Sequence, residues 1–78
     1  MLELEKKLKN YLENNYNVTV SVKKGVRTTT YVVLFNITKR KLHITYLNVS
    51  QAKYGYEAMT YFLTETINRS WIDQLRKD

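Results

Sequence analysis

Cysteine and proline are absent from the chain, glycine and alanine occur twice each, and there is a single histidine. Without cysteine there is neither a disulfide framework nor a thiolate metal site, and nothing points to an oxidising compartment. There is no glycine-rich phosphate loop. His43 lies beside Lys41 with no Asp or Glu nearby, and no pair of the seven acids has the spacing of a metal or acid–base motif. The chain is therefore read as a non-enzyme that carries no metal and no cofactor. The first 25 residues mix Glu and Lys with Leu and form no apolar run, which argues against a signal peptide and a membrane span. A cytoplasmic location is expected, and the four Asn-x-Ser/Thr triplets at Asn17, Asn36, Asn48 and Asn68 are read as chance.

What is present is a single small domain of 78 residues. A chain of this size buries only about 60% of the surface its unfolded form exposes, so modest stability is expected. Lys, Asn, Tyr, Ile and Phe make up 29 of the 78 residues, whereas Gly, Ala, Pro and Arg make up 8. The first group uses A/T-rich codons and the second G/C-rich ones, a bias that fits low-G+C bacteria, their phages and mobile elements, and some archaeal viruses.

Hydrophobic spacing assigns an α+β fold. Leu4, Leu8, Tyr11 and Leu12 mark a helix over 2–15, with Glu3, Glu5, Lys6, Lys7, Lys9 and Glu13 placed off its stripe. Residues 16–24 alternate as a strand, with Val18, Val20 and Val22 on one side. Val26 to Thr38 and Lys41 to Val49 read as a long hairpin turning at Lys39-Arg40, which pairs Phe35 with Ile44 and Val33 with Tyr46. A longer loop or a one-residue slip fits the same strands, because Lys-Arg is not a favoured tight-turn pair. A turn at Lys24-Gly25 pairs Val18 with Tyr31 and Val20 with Thr29. Both turns place the same apolar side chains on one face, and that agreement supports a three-stranded antiparallel meander with the long strand central. From Ser50 onward the chain reads as helix, with Ala52, Gly55, Met59, Phe62, Leu63, Thr66 and Ile67 inward. Either that helix starts near Tyr56, or Gly55 lets it approach the sheet closely. The Ser70 and Asp73 pair suggests a break near Asn68 and a short extra C-terminal helix. The expected architecture is αβββα, both helices on one sheet face, with a core that includes Val18, Val20, Val22, Tyr31, Val33, Phe35, Ile44, Met59, Phe62 and Leu63.

Charge is unevenly placed. The net charge is +6, and residues 16–53 hold seven basic residues and no acid. Lys23, Lys24 and Arg27 mark one turn, Lys39, Arg40 and Lys41 the other, and Lys53 the start of the last helix. Three readings account for this: solvation of turns and sheet edges, phosphate contact, and steering onto an acidic protein surface. On the sheet face away from the helices, Val32, Leu34 and Leu47 form an aliphatic patch suited to a partner or a homodimer, unless Trp71, Ile72 and Leu75 fold back over it. Tyr54 and Tyr61, seven residues apart on the last helix, are further interface candidates.

The order helix, three-stranded meander, helix resembles double-stranded-RNA-binding domains. Gln51-Ala52-Lys53-Tyr54-Gly55 stands where their Lys-rich second helix begins, and their phosphate-binding roles are not carried over. The same layout, with Asn15-Tyr16-Asn17-Val18 leading into the first strand and Trp71 near the end, also resembles small phage-encoded anti-CRISPR proteins. That resemblance implies an accessory protein that inhibits or adapts a host protein or nucleoprotein complex, such as a defence nuclease, inside the host cell. The double-stranded-RNA-binding resemblance implies nucleic acid as the partner instead.

Overall fold

A computed structural model describes residues 3–76. It contains helix α1 (Glu3–Asn15), strands β1 (Val18–Lys24), β2 (Thr28–Phe35) and β3 (Lys41–Leu47), and helix α2 (Asn48–Arg76). The sheet is antiparallel in the order β1-β2-β3, so the αβββα meander is as expected. Its inner face carries Val18 and Val20 from β1, and Tyr31, Val33 and Phe35 from β2, all buried. These meet Leu8 and Leu12 of α1 and Met59, Leu63 and Ile67 of α2 in one core, with Val22, Leu42, Ile44, Tyr46, Phe62 and Trp71 packed around it. The alternating β1 and the nearly continuous apolar run of β2 explain this arrangement: β2 is central, and Val32 on its outer side is 9% exposed because strands flank it on both sides.

Both hairpins differ from the expected register by four residues. Val18 pairs with Phe35 and Val22 with Tyr31, while Tyr31 pairs with Ile44 and Val33 with Leu42. An even shift leaves every side chain on its expected face, which is why the core survives the change. The first turn is Val26-Arg27, closed by the Gly25 N–H donating to the Thr28 carbonyl at 2.7 Å. Asn48 holds it in place: its Nδ2 donates to the Gly25 and Val26 carbonyls at 3.0 and 3.2 Å, and its N–H to the Arg27 carbonyl at 2.8 Å. The second connection is a loop over 36–39 in place of a Lys39-Arg40 turn. Phe35 and Arg40 close it (N–H to carbonyl, 2.9 Å), with Lys39 at φ 66°. Asn36 is drawn out of β2 by Asn17, whose carbonyl and side-chain oxygen accept its N–H and Nδ2 at 3.2 and 2.9 Å.

The α2 helix is broken once, at Gly55, with φ 81° and ψ 179°. A Cβ built there meets nothing within 4 Å, so the glycine serves backbone conformation and not close approach. The regular helix accordingly begins at Tyr56, one of the two expected alternatives. No break follows near Asn68: the helix runs through to Arg76, and Gln74 Nε2 donates to Ser70 Oγ at 3.3 Å, one turn apart. The extra C-terminal helix is therefore a continuation of α2. Ala52, expected inward, is exposed, because the Gly55 break turns the segment before it so that Gln51 points inward instead. Trp71 stacks on Phe35, with centroids 6.0 Å apart, on the inner side. Ile72 and Leu75 remain exposed.

Candidate partner-binding surfaces

Both helices pack on the inner sheet face and no described element covers the outer one. Reading across the strands, its rows are Thr19, Leu34 and Lys41; Ser21, Val32 and His43; Lys23, Thr30 and Thr45; and Thr28 with Leu47. No acid lies on it. The aliphatic patch is interrupted: Val32 and Leu34 are adjacent on β2, but Leu47 is separated from them by the Thr30–Thr45 hydroxyl pair at 2.8 Å. Leu34 is half-buried, and Leu47 is exposed. The outer face is thus a hydroxyl-rich surface with a small apolar centre and lysines at two diagonal positions. At about 3.3 Å per residue and 4.8 Å per strand, Lys23 and Lys41 stand roughly 16 Å apart.

The seven basic residues divide by position. Lys23 and Lys41 project from the outer face, and Arg27 lies in the first turn. Lys39 and Arg40 lie at the other end, and Lys53 is exposed on the first turns of α2. Lys24 is committed elsewhere. It sits on the inner face, where its Nζ donates to Glu5 Oε2 at 2.7 Å. Among the described residues the other ion pair is Lys9–Glu13, at 2.8 Å. Glu13 also accepts the Val20 N–H at 2.7 Å, tying α1 to β1.

Glu5 is the residue whose placement was misread. It precedes Leu8 by three and Leu12 by seven, so a 3.6-residue period puts it on the buried stripe, and it is 1% exposed. Gln51 Nε2 donates to its Oε2 at 2.9 Å and to Thr29 Oγ1 at 3.3 Å, and the Tyr31 hydroxyl donates to Gln51 Oε1. Thr29 in turn donates to Asn48 Oδ1 at 2.6 Å. Burial on its own would raise the Glu5 carboxyl. Hydrogen bonds from Lys24, its own backbone and Gln51, with the lysine charge, outweigh burial and hold it below its ordinary value of 4.5. Burial pushes the Tyr31 phenol well above its ordinary value, and the nearby Glu5 charge adds to that. The cluster fastens α1, the first turn and the start of α2 together. No single segment signals it, because its members lie up to 46 residues apart.

Two further features lie at the flanks. Tyr54 and Tyr61 are exposed, as expected, and both set their edges against Phe62, at 5.1 and 6.0 Å. A depression of about 330 Å3 opens beside them between Tyr46, Tyr61, Phe62, Glu65, Thr66 and Arg69. At the other end, a slot of about 290 Å3 opens between the end of α1, the 36–39 loop and α2, lined by Tyr16, Phe35, Ile37, Trp71 and three asparagines. The sequence reading missed this slot, although the Asn15-Tyr16-Asn17 run and Trp71 contribute to it.

Among the described residues no group of His, Cys, Asp and Glu could hold a metal ion, and no helix is long and apolar enough to cross a membrane. No protein family, no curated protein and no solved structure matches the chain.

Proposed function

We propose that the protein is a non-enzymatic binding module whose outer sheet face docks on the phosphate backbone of a nucleic acid. The observation that carries this reading is the acid-free outer face: Lys23 and Lys41 stand on it among Thr and Ser hydroxyls, while the described acids all lie on the helices. Lys39 and Arg40 extend the positive surface at one end and Arg27 at the other. Ammonium, guanidinium and hydroxyl groups are the donors that phosphate oxygens accept from, and such contacts position a protein without reading sequence. Phosphate contacts from a sheet face touch no base edges, so weak sequence preference is expected. The amino-acid usage, rich in residues with A/T-rich codons, fits a phage or mobile-element source.

Titration of a labelled DNA duplex at two salt concentrations tests this. If Lys23, Lys39, Arg40 and Lys41 each meet a phosphate, log K falls with log salt at a slope of about −3 to −4. Replacing Lys23 and Lys41 with Ser flattens that slope by roughly two. A slope indifferent to those two substitutions, or no binding at low salt, sinks the proposal.

The exposed aromatic flank favours a second reading, in which the protein inhibits or adapts a host macromolecular machine by protein contact. Tyrosine is enriched in interface cores, and Tyr54 and Tyr61 both pack against Phe62 at the surface, with Glu65 and Arg69 beside Tyr61. A homodimer formed through the same flank is the rival occupant of that surface.

A further inference from the structure

We propose that the slot between Tyr16, Ile37 and Trp71 takes one unpaired nucleobase of a bound nucleic-acid strand. The inference rests on the nucleic-acid reading above and deepens it. Trp71 stacks on Phe35 with ring planes 18° apart, which holds the indole in place, and Ile37 is 70% exposed at the mouth. A flat, rigid aromatic wall is what a base stacks on. At about 290 Å3 the slot is at the small end of ligand pockets, suited to one ring system and too small for a folded peptide.

The rim supplies the polar half of the recognition. Asn15 Nδ2 is used by the Tyr11 carbonyl at 2.8 Å, which leaves its side-chain oxygen as an acceptor. The Asn17 side-chain oxygen is used by Asn36 Nδ2 at 2.9 Å, which leaves its Nδ2 as a donor. Asn68, exposed on α2, brings both. Donors and acceptors of this kind around an aromatic wall complement the hydrogen-bonding edge of a base, an edge that only an unpaired base presents freely. Charge argues for a strand as the occupant: Lys39, two residues past Ile37, ends the loop beside the slot and Arg40 comes next, where phosphates flanking the inserted base would lie.

Trp71 is the chain's one tryptophan, so fluorescence excited where tyrosine does not absorb comes from the slot wall. The probes are a short oligodeoxyadenylate, an abasic strand of equal length and adenosine monophosphate. A stacked base is worth about 1–3 kcal/mol, so we expect saturable Trp71 quenching by the oligonucleotide and affinity roughly 10-fold above the abasic strand. Asn68→Ala, at an exposed position, should remove part of that advantage and leave the thermal melt unchanged. Trp71→Leu, read by anisotropy of the labelled strand, should remove it as well, with Trp71→Phe restoring part. Equal affinity for the oligodeoxyadenylate and the abasic strand overturns the slot and leaves the sheet-face reading standing. No binding to either strand or to duplex removes both. Quenching by the mononucleotide as tight as by the strand assigns the slot to a free nucleotide and overturns the strand as occupant.

Discussion

Glu5 shows most clearly how a single side chain couples the parts. It is buried with two donors on one oxygen, so its carboxylate is favoured in the folded protein relative to the unfolded chain. Glu13 behaves alike: burial would raise it, while Lys9 and the Val20 N–H lower it further. A carboxyl whose folded value is depressed contributes stability above its unfolded value of about 4.5, and that contribution is lost as pH falls through the folded value. The tyrosines act in the opposite sense. Burial raises Tyr31 and Tyr46, so their contribution is present below pH 10 and is lost as pH rises beyond it. Thermal melts should therefore show a plateau bounded by an acid limb below about pH 4.5 and an alkaline limb above about pH 10. Glu5→Ala should cost roughly 1–3 kcal/mol, because it leaves the buried Gln51 amide without its acceptor, and should shrink the acid limb. An acid limb unchanged in Glu5→Ala would show that the pair does not act this way. The sequence reading left Glu5 on the solvent side because its charge outweighed its spacing, and the partners that make burial tolerable are unreadable from local pattern.

At the scale of elements, the strands and their faces were legible because alternation has a period of two and the observed turns differ from the expected ones by an even number of residues. The registers were not, since a slip of four preserves every face and only specific contacts select among such slips. Here Asn48 selects the Val26-Arg27 turn and Asn17 draws Asn36 out of β2, and neither signal is local. The Gly55 break was visible as an ambiguity that structure resolves, and it makes a prediction of unusual sign. In a regular helix interior, Gly→Ala stabilises by about 1 kcal/mol. At φ 81° and ψ 179° the alanine is strained by about 1–3 kcal/mol instead, so Gly55→Ala should lower the melting temperature. A rise in melting temperature, with added helical signal at 222 nm, would mean that residue 55 is helical in solution.

Over the whole molecule, one core and one uncovered face define what the chain can do. Phe35 is 3% exposed and bridges β2 to Trp71, so Phe35→Ala should cost about 3–5 kcal/mol. A 78-residue domain holds only about 4–12 kcal/mol in total, so the variant should melt far below the wild type or not fold at all. A melt near the wild-type temperature would disprove the core assignment. The outer-face lysines and the flank tyrosines lie outside this core, which allows those two candidate surfaces to be separated. Tyr54→Ser with Tyr61→Ser removes two exposed rings from the α2 flank, and Lys23→Ser with Lys41→Ser removes the outer-face charge. Because the two pairs belong to different faces, their effects should not couple. The flank variant should keep duplex affinity within about twofold, since a surface site beyond the contact adds little, and the sheet variant should lose it. Sedimentation of all three proteins over a range of concentrations completes the comparison. Self-association abolished only by the tyrosine substitutions would make the flank an interface between copies. Loss of duplex affinity in the flank variant equal to that in the sheet variant would move the nucleic-acid surface from the sheet to α2.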